Sequence, residues 1–434
     1  MMKRTAILVT PLLIAAAVAA AFLFHRRGER PQNVVLITVD TLRPDHLGYN
    51  GHPRNTSPAI DALAHEGLVF TNCYSVAGWT LPSIATIFTG RYPGDHGATD
   101  FHWSLDIDLP TMAGILRAHG YDTRGFVSHV ILKPSYGVGE GFSSYDYSVL
   151  GGGHPHDVAT ARPLTDLALR SIDDLEEPFF LWVHYFDPHF AYLPHAKWRS
   201  FGNTDIDRYD QEIAHTDAEI GRLLAGLREE KLYDNTVVVF TSDHGEEFGE
   251  HGAKYHYTLH DEILRVPLVI RAPQVAPGVN HARVEQIDLL PTLMALLGLD
   301  PGHVFPGRNV VTNTAAAAER PAFFERDRPP PYNQRGVIYQ GFKLVVIERA
   351  DSERIPAASR GTYVPITNVR PGIYMYDLAE DPGEQSNIYS EDRPGAKELL
   401  VLLAEHFAVE PARAREVRID DTLREKLRSL GYIR

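Results

Sequence analysis

The chain has 434 residues and a formal net charge of −14, from 42 Lys and Arg against 56 Asp and Glu. At 44% hydrophobic and 23% charged residues it can build a packed core, which excludes wholesale disorder. The negative balance argues against a nucleic-acid binder, which needs surplus cations to release counterions.

Lys3 and Arg4 precede an apolar run at 6–24, which is followed by His25, Arg26 and Arg27. About 19 residues is near the minimum for crossing a bilayer. Residues 1–30 are therefore expected to be a single membrane anchor. A cleaved secretory signal is the alternative, with Ala19-Ala20-Ala21 as the small residues for cleavage. Either reading places the rest of the chain outside the cytoplasm, in a periplasm or at a cell surface.

Next comes a continuous β-branched run at 33–39, ending in Asp40. Such a run reads as a strand buried on both faces, as in a parallel sheet. Similar runs occupy 179–184, 236–241 and 266–270, and helical patterns lie at 57–65, 109–119, 209–230 and 286–297. The alternation predicts an α/β fold, with a mostly parallel central sheet covered by helices on both faces. This domain is expected over 31–310. Composition changes near 311, where Ala315 to Ala318 and the Pro-rich 326–331 read as linker and loop. Short strand patterns at 336–340, 343–348 and 373–378, helices at 394–406 and 421–430, and the chain end predict a smaller α+β subdomain over 311–434, built on an antiparallel sheet.

Three expected strand ends carry acids or histidines. They are Asp40 with Arg43 and Asp45; Asp187-Pro188-His189; and Asp243-His244-Gly245-Glu246-Glu247, followed by Glu250-His251 and His256. A carboxylate beside an imidazole can reach one metal, and hard oxygen with borderline nitrogen suits zinc or manganese better than calcium. Each site alone reads equally well as a surface turn, but open α/β sheets gather their ligands at the carboxyl ends of their strands. The 77–93 segment starts a helix near Thr80 and Pro82. A hydroxyl there either caps the helix or, beside a metal, becomes a nucleophile. Cys73, the only cysteine, permits no intramolecular disulfide and reads as a small buried hydrophobe.

These motifs resemble the sulfatase family within the alkaline phosphatase superfamily. The resemblance runs through Asp40-x-x-Arg43-x-Asp45, T-L-P-S…T-G-R-Y-P…H-G from Thr80 to Gly97, F-D-P-H at Phe186 to His189, and S-D-H-G-E at Ser242 to Glu246. It continues through G-E-H-G at Gly249 to Gly252, R-V-P-L at Arg265 to Leu268, D-L-L-P-T-L at Asp288 to Leu293, and Y-D-L…D-P-G-E at Tyr376 to Glu384. It covers nearly everything after residue 30. Family sulfatases carry Cys or Ser in C/S-x-P-x-R and convert it to formylglycine. Here those positions are Thr80 and Ile84, and threonine cannot make that aldehyde. The family's paired Asp-Asp is Asp40-Thr41, its G-K-W-H segment is missing (Ser128-His129 stands nearby), and an expected lysine is replaced by His256.

The resemblance implies one divalent ion held by Asp40, Thr80, Asp243 and His244. His189 and His256 would face the anionic oxygens of the substrate or help to bind a second ion, and Arg91 would serve substrate binding. The expected activity is ester hydrolysis through a metal-bound Thr80, with His189 and then His256 as candidates for protonating the leaving oxygen. Phosphoesters and phosphodiesters are favoured. A formylglycine hydrate expels sulfate by elimination, whereas a Thr ester must be resolved by attack, and phosphorus accepts in-line attack. The alternatives are a phosphoryl-group transferase of the phosphoethanolamine or phosphoglycerol type, a sulfatase working without formylglycine, and an inactive binding protein on the same scaffold. The substrate class stays broad, as a small-molecule, lipid or glycan ester. Nothing in the sequence specifies an oligomeric state. His184, His195, His251 and His260 read as structural or as ligands, Glu246 and Glu247 as groups orienting His244 or as exposed, and the 133–157 stretch as a specificity loop.

Overall fold

A computed structural model describes residues 32–106, 108–150, 158–195, 200–311, 320–326, 332–349, 369–408, 415–417 and 419–429. The expected membrane segment, the 315–318 linker and part of the 133–157 loop lie outside these residues. Among the described residues no helix is long and apolar enough to cross a membrane.

Among the described residues eight strands make the main sheet: β1 Asn33–Val39, β2 Leu68–Tyr74, β3 Asp122–Val127, β4 Ser144–Asp146, β5 Phe179–Tyr185, β6 Thr236–Ser242, β7 Arg265–Arg271 and β8 Gly278–Glu285. Their order is β8-β2-β7-β6-β1-β5-β3-β4. β1 pairs in parallel with β5 and β6, and β3 lies parallel between β5 and β4. The 266–270 run departs from the parallel expectation, because β7 is antiparallel to both β6 and β2. Burial on both faces reports depth and carries no strand direction. Pro267, which has no N–H to give, sits where the β7–β2 register shifts.

The pleat of β1 divides the core. Val34 and Leu36 enter one apolar cluster with the helices Thr80–Thr89, Met112–Ala118 and Leu289–Leu297. Val35, Ile37 and Val39 enter the other, with Pro58–Glu66, Ala161–Ile172 and Asp205–Glu229. Alternate side chains point to opposite faces, so one continuous apolar strand feeds both layers. The Asp205–Glu229 helix starts four residues before its apolar pattern because Thr204 and Asp207 form a reciprocal capping box.

A second, antiparallel sheet has the order β9-β10-β11-β12, with β9 Ala322–Arg326, β10 Tyr332–Tyr339, β11 Phe342–Arg349 and β12 Gly372–Asp377. The Ala396–His406 helix packs on it through Leu399 and Leu403. β9 touches the main unit, where Glu325 donates its N–H to the Val76 carbonyl at 2.9 Å. The expected 311–434 unit is divided, because Leu423 and Leu427 of the Asp421–Ser429 helix pack into the core of the main sheet.

Candidate active site

The carboxyl ends of β1 and β6 are neighbours in register, so Asp40 and Asp243 emerge side by side. Both are fully buried. Donor atoms of Asp40, Asp243 and His244 lie within 4.8 Å of one another. Neither Asp40 oxygen receives a hydrogen bond, and neither does Oδ2 of Asp243. Burial, then the charges of Asp243 and Glu246, push the Asp40 carboxyl well above the usual range. Oδ1 of Asp243 is occupied by the N–H groups of His244 at 2.8 Å and Thr41 at 3.2 Å, which leaves Oδ2 turned to the shared space.

Hydrogen bonds assign the imidazoles. His244 donates from Nδ1 to the Gly245 carbonyl at 2.9 Å, so Nε2 carries the lone pair. That nitrogen stands 3.5 Å from Asp40, 3.6 Å from Asp243 and 3.4 Å from Thr80 Oγ1. Burial lowers the His244 pKa, which keeps it neutral and ligand-ready. His129 is the reverse. Its Nδ1 accepts the Ile131 N–H at 3.1 Å, so the proton sits on Nε2, 3.5 Å from Asp40 Oδ2. It is a donor toward the site and not a metal ligand. His184 places Nε2 3.8 Å from the same oxygen, and burial drives its pKa down to about 4.

Thr80 opens the Thr80–Thr89 helix but does not cap it. The cap position is Trp79, in extended backbone, with no side-chain cap bond. Instead the Thr80 hydroxyl faces His244 Nε2, at the positive end of the helix. Gln286 ties this loop to the β6 end. It accepts from Ser75 Oγ at 3.0 Å and donates to the carbonyls of Ser242 at 3.0 Å and Asp243 at 2.7 Å.

Two more imidazoles close the site. His189 donates from Nδ1 to the Phe190 carbonyl at 2.6 Å, which leaves Nε2 as the nitrogen able to carry a proton in or out. Its ring centroid lies 5.2 Å from that of His256, which in turn lies 4.8 Å from His244. His256 Nδ1 is 3.5 Å from Glu246 Oε1. The seven residues Asp40, Thr80, Asp243, His244, His129, His189 and His256 are all buried, but only His129, His189 and His256 supply donors from beyond the metal set, and only His189 and His256 show any exposure, at 3% and 5%.

A family model described as Sulfatase matches residues 32–299. This chain belongs to the sulfatase family. It is 26% identical over 471 residues to human arylsulfatase A (Homo sapiens), covering 90% of this chain and 88% of that one. It is 29% identical over 413 residues to an ulvan-active sulfatase of Formosa agariphila, covering 82% and 76%. Among solved structures, the phosphonate monoester hydrolase of Agrobacterium radiobacter superposes with a TM-score of 0.68 at 21% identity, covering 87% and 95%. The family is one of metal-dependent ester hydrolases, and the sulfatase-family enzyme described here offers a donor set that fits a divalent cation: two carboxylates with undonated oxygens and one imidazole lone pair.

The sulfatase site also separates some sequence candidates. Arg91 follows the Thr80–Thr89 helix, just after Gly90, whose left-handed conformation ends it. Its charge acts on Asp95. Ile84, at the family's Arg position, is fully buried in the apolar core. Asp187 points away and accepts from the Thr160 N–H and hydroxyl, the latter at 2.6 Å. Neither Glu246 nor Glu247 orients His244: the Gly245 carbonyl does that, and Glu247 pairs with His260 at 3.0 Å. His129 and Gln286 were not read as site residues, since the altered G-K-W-H segment hid the first and no local pattern marks the second.

Proposed function

We propose that this protein is an extracytoplasmic, metal-dependent hydrolase of anionic esters that uses Thr80 as nucleophile, with phosphoesters or phosphodiesters preferred. The observation that carries the reading is the convergence of Thr80 Oγ1 with the lone pair of His244 and the undonated oxygens of Asp40 and Asp243. Buried acids without donors are costly, and a cation is the ligand that relieves them. Asp40, Asp243, His244 and Thr80 would hold it, with zinc or manganese suiting the donors better than calcium. When bound, the ion supplies the positive charge that lowers the Thr80 pKa and offsets charge on the ester.

The residues then divide the work. Ionised Thr80 Oγ1 forms a bond to phosphorus as the bond to the leaving oxygen breaks. His189 delivers the proton to that oxygen, with His256 as the second candidate. His129 Nε2–H is placed to donate toward an ester oxygen. Attack by water then forms a new P–O bond, breaks the Thr80–phosphorus bond and returns a proton to Thr80. An alcohol in place of water would make the same site a transferase.

A second reading, sulfate ester hydrolysis without formylglycine, is favoured by the relatives whose names specify sulfate esters. The phosphonate monoester hydrolase likeness favours phosphorus. The test is parallel turnover of an aryl sulfate, a phosphate monoester and a phosphodiester by the metal-loaded protein, with Thr80→Ala as control. Faster turnover of the phosphorus esters supports the proposal, and equal or faster sulfate turnover would reverse the preference. No turnover of any ester, with no bound metal, would leave the inactive binding scaffold.

A further inference from the structure

His256 sits on a segment whose backbone is held in a costly shape. Tyr255, just before it, has φ 71°, a left-handed conformation that a side-chain-bearing residue keeps only where its surroundings impose it. Tyr255 itself pairs with Glu247 and packs on Phe190, and the two residues that follow it are held by the small antiparallel sheet. Arg326, the last residue of β9, donates Nε–H to the His256 carbonyl at 3.0 Å. Its guanidinium carbon also lies 5.1 Å from the Tyr257 ring centre. Gln334 of β10 donates Nε2–H to the next carbonyl, that of Tyr257, at 2.7 Å. Both side chains are deeply buried.

The same strand braces the nucleophile loop. Ala77 and Glu325 form a parallel bridge. A Cβ added to Gly78 would stand 3.1 Å from the Thr258 carbonyl oxygen and 3.7 Å from Arg326 Cδ. The loop before Thr80, the His256 segment and the Arg326 stem are therefore in mutual contact, and glycine at 78 permits the approach.

We infer that Arg326 and Gln334 are positioning residues. By fixing two successive carbonyls they hold the His256 imidazole against His244 and His189, so the small sheet is part of the active unit. The inference rests on the role proposed above for His256. A displacement of about 1 Å in such a group costs on the order of 100-fold in rate.

The test uses the full-length, metal-loaded protein and whichever of the three esters the wild type turns over fastest. Arg326→Met and Gln334→Met are made in the wild type and in His256→Ala. Each single change is expected to lower kcat roughly 10- to 100-fold, with KM and bound metal little changed, and to move the imidazole ¹⁵N–¹H signals of His256. In the His256→Ala background each should cost no more than about twofold, because residues acting through one group are non-additive. Arg326→Lys, which keeps a donor and a charge, should recover part of the loss and stands in if Arg326→Met does not fold. Additive losses beside a crippled His256→Ala would overturn the inference and leave the proposed function standing. Unmoved His256 signals would also overturn it, and full activity of His256→Ala would remove both the role of His256 and the inference.

Discussion

Two buried aspartates in this molecule meet opposite fates. Asp210 receives His46 Nδ1 at 2.5 Å, Arg54 Nη1 at 2.7 Å and His52 Nε2 at 3.1 Å. Asp40 is equally buried, and its oxygens receive no hydrogen bond. Burial raises the pKa of both, but at Asp210 the hydrogen bond and charge of His46, with Arg54 and His52, outweigh it and the pKa falls. At Asp40 the neighbouring Asp243 and Glu246 add to burial and the pKa rises. Both clusters combine histidine with aspartate in a way that could hold an ion. The difference teaches that donor identity alone does not mark a metal site. What marks it is an unmet electrostatic demand, and Asp210 has none.

The comparison breaks first on activity. Thr80→Ala should lower ester turnover by at least about 10³-fold while leaving bound metal in place. His46→Ala should leave turnover per folded molecule near the wild-type value. Paired kinetic and metal-content assays on the two variants check this.

Stability comes next. Asp210→Asn removes the carboxylate charge that Arg54 and two imidazoles hydrogen-bond and should cost about 3 kcal/mol in denaturant unfolding. Asp40→Asn in metal-free protein should raise stability at neutral pH, since it removes a carboxyl that burial and its acidic neighbours make costly to ionise. Metal should close most of the gap between the two variants. At 100 times its Kd it should stabilise the wild type by about 2.7 kcal/mol and Asp40→Asn by nothing measurable.

The smallest effect is the sign of the pH dependence in metal-free protein. The raised pKa of Asp40 means that its contribution is complete below the ordinary unfolded value and is lost as pH rises through the folded value. The lowered pKa of Asp210 means that its contribution is present above the unfolded value and is lost as pH falls through the folded one. The stability lost in Asp210→Asn should therefore shrink in acid, and so should the difference between Asp40→Asn and wild type, but with the opposite sign, because Asp40→Asn is the more stable form at higher pH. Unfolding curves across the acid range measure both.

Much of the site was legible because its strands are apolar on both faces and end abruptly in charge. Val39-Asp40 and Ser242-Asp243 are such boundaries, and they stand next to each other because β1 and β6 pair in register. The helix start at Thr80 was also legible, from Pro82, but the choice between cap and nucleophile was not, since it depends on where His244 stands. β2 and β8 went unread because their faces mix polar and apolar residues, β8 at the sheet edge and β2 next to it, and the amphipathic Ala161–Ile172 helix went unread as well. The direction of β7 is a property of connections, not of side chains. The bonds from Arg326 and Gln334 to residues 256 and 257 join parts of the chain about 70 residues apart or more, and no local pattern announces them.

The most direct test is a crystal structure of the protein soaked in zinc or manganese, with anomalous scattering recorded at the metal edge. One strong peak about 2.1 Å from His244 Nε2 and the facing oxygens of Asp40 and Asp243, with Thr80 Oγ1 in reach, is the predicted result. An empty site there, with the peak at Asp210 or absent, would contradict the account.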